Sequence, residues 1–392
     1  MRILMISDVY FPRVNGVSTS IQTFAREFTR EGHEVTLLAP DYGGPAPAEQ
    51  ELEVLRIPAR RLPVDPEDRM LRRPAIRRRL PEIAGRGYDL VHIHTPFVAH
   101  YSGLGLARAL DLPVVESYHT YFEEYLDKYL PWMPRGPLRF AARRFSASQC
   151  NAVDALVVPS SAMLEVLRRY GVRTRAEVIP TGINLDLFQR GDGDRFRLRL
   201  GIPPERPVLV HVGRIAHEKN IDFLIDVVER VRRSVPDILL LVAGEGPARR
   251  RLEGQVRDRG LNGAVLFLGY LSRDGELQDC YCSGDAFVFS SHTETQGLVL
   301  LEAMALGVPV VSTARMGVRD VLKDGAGALI AEPELEDFAA KTERVLTDPA
   351  LGARLGAAGA AYARGWTAPE LARRKLDYYW RVIGERASRP AA

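Results

Sequence analysis

Cysteine is scarce. Cys150, Cys280 and Cys282 are the only three in 392 residues. Three thiols cannot build a disulfide framework, and they fit a chain kept in a reducing compartment. Cys280 and Cys282 stand two apart, but no second Cys or His pair at zinc spacing accompanies them, so they read as structural thiols. Excess charge of one sign is also lacking. A formal net charge of +3 excludes a generally basic nucleic-acid binder. No apolar run approaches the roughly 20 residues of a membrane span. The opening "MRILMISDVYFP" carries one arginine and a short apolar stretch ending at Ser7 and Asp8. A signal peptide needs a longer apolar stretch and a small-residue cleavage site. The expectation is a cytoplasmic chain that touches a membrane surface without crossing it.

What is present is a rhythm, and it occurs twice. In the first half, "RILMIS", "HEVTLLAP", "YDLVHIH", "LPVVESYH", "DALVVPS" and "AEVIP" read as strands. Between the first two lies a helix with Val17, Ile21, Phe24 and Phe28 at helical spacing and Gly32 as its stop. After residue 206 the pattern restarts with "PVLVHVG", "DILLLVAG", "AVLFLGY", "DAFVFSS" and "VPVVST", again separated by helical stretches. Near-continuous apolar strands alternating with helices indicate parallel sheets covered on both faces. The expectation is two Rossmann-like α/β domains. The first covers residues 1–185 and is joined by a C-terminal helix, 372–392; the second covers 186–371. The stretch from Asn184 to Pro207 reads as a polar linker, and the tail beyond Ala331 as helical. In such folds ligands bind at the carboxyl ends of the strands, so a cleft between the two sheets is the expected site.

The unusual residues do fall just after strands. Asn15-Gly16 opens onto a helix N-terminus, where glycine lets an anion approach exposed N–H groups; a plain capped turn is the alternative. His119 ends a strand, and a satisfied structural histidine is the alternative there. His92 and His94 alternate on one strand and so share a face, but no acid or cysteine set completes a metal site. Gly213, Arg214 and Lys219 follow a strand and precede a helix, which places two cations where a diphosphate would lie. Gly244-Glu245-Gly246 is a weak Gly-x-Gly turn, without the full dinucleotide fingerprint. Gly297, Leu298 and Val299 open a helix whose N–H groups suit a phosphate. Glu302, a turn further on, can accept from a vicinal diol such as ribose. Glu294, in the loop before, faces the sugar end of the same ligand.

These residues resemble a family. "GRIAHEKN" and "ETQGLVLLEAMALGVPVV" are similar to the signature of retaining GT-B glycosyltransferases of family 4, and "NGVSTSIQTFAREFTREGHEVTLLAP" and "YHT" match its N-terminal pattern. The resemblance implies two domains facing across a deep cleft, with a final helix crossing back to the first. It also implies a sugar-nucleotide donor, retention at the anomeric carbon and no obligatory metal or cofactor. Carried over, Gly16 gives backbone contact to the diphosphate, Arg214 and Lys219 neutralise it, Glu294 holds sugar hydroxyls, Glu302 holds the ribose, and His119 helps stabilise the transition state. Asp192-Gly193-Asp194 is formally a metal-binding motif, but it lies in the stretch read as a linker and is taken as a turn.

Residues 56–86 carry ten arginines against four acids, a local +6. A second basic stretch holds Arg135, Arg139, Arg143 and Arg144 among Leu138, Phe140 and Phe145, with Trp132 before it. Basic residues mixed with aromatics suit an anionic membrane surface, with Arg77, Arg78, Arg79, Arg139 and Arg143 as its contacts; a solvated helix face is the alternative. "HTYFEEYLDKYLPWMP", with Tyr121 and Trp132, resembles the acceptor loop of diacylglycerol glucosyltransferases. The preferred expectation is transfer of glucose from UDP-glucose to a membrane lipid, with GDP-mannose-dependent mannosyl transfer as the rival. A sugar-nucleotide epimerase of the same fold, turning over donor without acceptor, and a non-catalytic nucleotide-sugar sensor are the readings from other classes.

Overall fold

A computed structural model describes residues 1–43, 52–61, 69–119, 121, 123 and 134–388. The chain divides into two compact units, Met1–Gly182 with Ala368–Ala392, and Ile183–Thr367. The strands of the first unit are β1 (Arg2–Ile6), β2 (Glu34–Pro40), β3 (Glu53–Ile57), β4 (Ala59–Arg61), β5 (Arg69–Leu71), β6 (Leu90–Ile93), β7 (Val114–Ser117), β8 (Ala155–Val158) and β9 (Ala176–Val178). Seven of them form one parallel sheet in the order β3-β2-β1-β6-β7-β8-β9, while β4 and β5 make a separate antiparallel pair. β1 shows why the sheet is parallel. Ile3, Leu4, Met5 and Ile6 are all buried, so both faces of the strand need cover, and helices supply it.

The helix Gly16–Arg30 supplies part of that cover. The Asn15 side chain accepts from the Ser18 N–H at 2.9 Å and starts the helix; Ile21, Phe24 and Phe28 pack on the sheet. The final helix, Ala368–Ala387, belongs to the same unit. Its Leu371, Leu376, Tyr379 and Val382 enter the same core, and the Tyr379 ring meets Phe28 edge-on at 5.7 Å. Each such buried side chain contributes about 1.5–3 kcal/mol relative to an exposed one.

The second unit holds β10 (Val208–Val212), β11 (Leu239–Ala243), β12 (Val265–Gly269), β13 (Ala286–Phe289), β14 (Val310–Thr313) and β15 (Ala328–Ala331), all parallel, in the order β12-β11-β10-β13-β14-β15. β10 lies between β11 and β13, so the strand order reverses there. The loops after β10 and β13 therefore open at the switch point of this sheet.

The reading of Asn184–Pro207 as a linker is corrected. A 3-10 turn at Leu185–Leu187 and a helix at Gly193–Leu200 occupy it, and Phe188, Phe196 and Ile202 are buried in the second unit's core. Polar composition concealed three well-spaced apolar anchors. Asp192 caps that helix, accepting from the Arg195 N–H at 2.9 Å, and its own N–H donates to Asp279. Strands β3 and β15 were also missed. Both are half-buried edge strands; β3 includes Glu53 and Arg56, and β15 follows directly on the glycine-rich turn at 324–327.

Candidate functional site

The loop after β10 is held from both sides. Toward β11, the Gly213 N–H donates to Ala243 O (3.0 Å), the Ile215 N–H to Glu245 O (2.9 Å) and the Ala248 N–H to Ile215 O (3.0 Å). A Cβ on Gly244 would stand 2.0 Å from Gly213 O, and the residue has φ +135°. Gly244, expected at the donor, is thus required by the close approach of two backbones. Toward β13, the 3-10 turn His217–Lys219 is strapped by Ser291 Oγ and the His292 N–H, both donating to Glu218 O, and by Ser290 Oγ donating to Asn220 O. Arg214 is half-buried in this loop.

That strapping sets Lys219 against Glu294. Nζ lies 2.6 Å from Oε2, and each side chain is 17% exposed. Burial pushes the Glu294 carboxyl up, but the Lys219 ammonium and the N–H groups of Gln296 and Gly297 outweigh it, and the net shift is below the ordinary range. The Gly297 amide, expected to meet a phosphate, thus also favours the charged form of Glu294. Leu298 and Val299 do open a helix, Leu298–Ala305, as the sequence indicated. Glu294 is anchored through its backbone too: its carbonyl accepts from the Gly317 N–H at 2.9 Å, and a Cβ on Gly317 would stand 1.9 Å from Thr295 O.

Glu302 is buried and both its oxygens are held. Oε1 accepts from Arg273 Nη2 and Oε2 from the Tyr281 hydroxyl, each at 2.8 Å. A carboxylate has about four lone-pair sites, so acceptor capacity for a diol remains. Arg273 also lies over the Phe188 ring at 5.8 Å. Neither partner was singled out in the sequence, because nothing in the spacing of residues 273, 281 and 302 joins them. His211 was missed as well. Its Nδ1 lies 3.0 Å from Val288 O, its ring stacks on Phe287 and Phe289, and burial pushes its pKa down to about 4.

In the first unit, a Cβ on Gly16 would meet nothing within 4 Å, so packing does not demand glycine at this helix start. His119 is half-buried against the buried pair His92 and His94. His94 Nδ1 lies 3.3 Å from His119 Nε2, and the His92 and His94 rings are 3.9 Å apart between centroids. His92 is bonded on both nitrogens, to Tyr379 Oη (2.6 Å) and Ser117 Oγ (2.9 Å). Burial, joined by the charge of Lys375, lowers all three imidazoles, His119 to about 3. Asp8, at the end of β1, accepts at Oδ2 from Thr95 Oγ1 and the Ala99 N–H, each at 2.9 Å, and burial pushes it up to about 6.

The basic stretches are partly internal. Arg56 Nη1 donates to Phe11 O and Pro40 O, Arg86 pairs with Glu53 and Glu82, and Arg79 pairs with Glu82 at 3.2 Å. Arg77 and Arg78 are exposed. Arg143, expected to face a membrane, is exposed, is bonded to Glu123 and lies over Tyr170. Arg139 and Tyr121 are half-buried, and Phe140 is exposed. Trp132 lies outside the described residues. Among the described residues no three His, Cys, Asp or Glu side chains are grouped to hold a metal ion, and no helix is long and apolar enough to cross a membrane.

Two family models match the chain, "Glycosyltransferase Family 4" over residues 14–187 and "Glycosyl transferases group 1" over residues 192–362. The alpha-monoglucosyldiacylglycerol synthase of Streptococcus pneumoniae is 30% identical over 83% of this chain and 74% of its own. A GDP-mannose-dependent alpha-mannosyltransferase of Mycobacterium tuberculosis is 29% identical over 100% of this chain and 99% of its own. Among solved structures, sucrose-phosphate synthase from Thermosynechococcus elongatus has a TM-score of 0.78 at 23% identity, covering 98% of this chain and 99% of that one. Anabaena Alr3699/HepE in complex with UDP-glucose also scores 0.78, at 19% identity, covering 96% and 99%. These likenesses bear out the GT-B fold class.

Proposed function

The chain belongs to the family 4 glycosyltransferases, and from that premise we propose that it moves a hexose, with retention, from a nucleotide sugar to a lipid acceptor such as diacylglycerol. The observation that carries the reading is the Lys219–Glu294 pair at the switch point of the second sheet. A cation and an acid held together there serve the two halves of a sugar nucleotide. Lys219 and Arg214 neutralise the diphosphate, and Glu294 accepts from sugar hydroxyls. Glu302, fixed by Arg273 and Tyr281, holds the ribose; the helix start at Leu298 and Val299 and the open backbone at Gly16 favour the phosphates.

Glycosyl transfer builds positive charge on the sugar and negative charge on the departing diphosphate. Preorganised cations lower the energy of that state without a metal ion. A double displacement needs a nucleophilic carboxylate at the anomeric carbon. Glu294 and Glu302 are both engaged by cations and hydrogen bonds, which disfavours either as nucleophile. Same-face attack, with the diphosphate accepting the acceptor's proton, fits better. A glycosyl adduct trapped on an Asp or Glu would refute it.

Glucose from UDP-glucose is the preferred donor, supported by the diacylglycerol glucosyltransferase relative. Mannose from GDP-mannose is the second reading, supported by the relative matched over its full length. The exposed Arg77, Arg78 and Phe140 support a peripheral contact with anionic lipid on the inner membrane face. Incubating UDP- and GDP-sugars with diacylglycerol and with lipid extracts, followed by mass spectrometry of the lipids, tests the reading. Donor turnover without a glycosylated lipid would favour an epimerase instead.

A further inference from the structure

The cluster around His119 fixes more than the position of a ring. The His94 ring has one hydrogen-bond partner among the described residues, His119, joined Nδ1 to Nε2 at 3.3 Å; its Nε2 is buried with none. One proton lies between the two rings, and there are two ways to place it. If His119 donates, His94 must carry its own proton on Nε2, as a buried N–H with nothing to bond. If His94 donates, its Nε2 is a bare lone pair. An orphaned buried N–H is the rarer and costlier arrangement. The second assignment therefore wins.

We propose that His94 is a positioning residue for sugar transfer: it donates from Nδ1 to His119 Nε2 and so holds the His119 proton on Nδ1. The proposal rests on the functional reading above for the use made of His119. The surroundings keep His94 in place to do this. His92 is bonded at both nitrogens, to Tyr379 of the final helix and to Ser117 of β7, and its ring packs against His94. The His94 and His119 rings are near parallel, 17° apart, with centroids at 5.6 Å. Burial keeps the rings neutral at physiological pH, so the tautomer and not the charge is what the cluster controls. With Nε2 turned to His94, His119 offers an N–H from Nδ1. It then acts as a hydrogen-bond donor to an oxygen of the donor substrate, not as a base.

The test is nitrogen-15 NMR of the full chain with imidazole-labelled histidine, using one-at-a-time His→Gln variants for assignment. His119 is expected with its proton on Nδ1 in the parent chain and in His94→Gln, whose amide can still donate. In His94→Leu the proton is expected to move to Nε2, the form free imidazole prefers. The transfer kcat is expected to stay near the parent value in His94→Gln and to fall about tenfold to a hundredfold in His94→Leu, with donor KM little changed. A His119 proton on Nε2 in the parent chain, its persistence on Nδ1 in His94→Leu, or equal loss of kcat in the two variants overturns the proposal. The nitrogen spectrum is read without substrate, so the tautomer stands or falls independently of the proposed reaction.

Discussion

Lys219 Nζ and Glu294 Oε2 lie 2.6 Å apart, although 75 residues of chain separate them. The pair joins the turn after β10 to the loop after β13, and the Lys219 ammonium helps hold Glu294 in its charged form. A diphosphate arriving beside Lys219 would share that cation with Glu294. This gives the acid an effect on binding opposite to its effect on transfer.

Glu294→Gln should therefore cut transfer by about a hundredfold or more, the range for losing a transition-state contact, while UDP or GDP binds as well as before or better. Initial rates and calorimetric titration with the nucleotide check this. Parallel loss of rate and nucleotide affinity would contradict the assignment of Glu294 to the sugar.

Glu302 supplies a graded pair of substitutions. Tyr281→Phe removes one hydrogen bond to a carboxylate and should cost about 1.5 kcal/mol of stability. Arg273→Ala leaves a buried carboxylate without its cation and should cost more, about 3 kcal/mol. It should also weaken nucleotide binding. Urea unfolding and titration with UDP and GDP measure both. Equal effects in the two variants would mean that Arg273 contributes no more than a hydrogen bond.

Gly16 and Gly244 should separate binding from folding. Gly16→Val places its side chain in open space, so unfolding should change by less than about 1 kcal/mol, while donor KM rises. Gly244→Ala drives a Cβ to 2.0 Å from Gly213 O and should destabilise by about 2 kcal/mol or more. Thermal unfolding with donor titration distinguishes them. A stable Gly244→Ala chain would argue that the two loops are not zipped together.

Lys375 is buried with its Nζ 3.7 Å from the Phe24 ring centroid, and burial pushes its pKa down to about 7. A depressed pKa means that the unfolded chain binds the proton more readily. Stability from this group is full above the unfolded value and falls as pH drops toward 7, then levels off. Lys375→Met should accordingly be more stable than the parent at pH 7, with the gain shrinking as pH rises toward 10.5. Unfolding at pH 7, 8 and 9 checks the trend, and a gain that grows with pH would reverse the sign argued here.

Much of this was legible in the residues. Six strands of the first sheet and five of the second announced themselves as apolar runs, because strands buried on both faces leave no polar side. The helix at Leu298 was legible from the glycine before it. Strands β3 and β15 were not: β3 carries charged residues within its run, and β15 follows directly on a glycine-rich turn, so neither stands out from its surroundings. The helix at Gly193–Leu200 was hidden by its polar residues, although Phe188, Phe196 and Ile202 are buried in the core and Leu185 and Leu200 pack against it.

The sequence by itself determined the class of fold, the family, and the strand ends at which the charged residues stand, because hydrophobic period and local turn chemistry are short-range properties. Tertiary structure alone decided partnership: that Lys219 meets Glu294, that Arg273 and Tyr281 grip Glu302, that Arg143 turns to Glu123, and that His94 touches His119. Each of these contacts joins residues from 20 to 75 positions apart. No local rule connects positions so far apart, because the sheet that brings them together forms only when the whole unit packs.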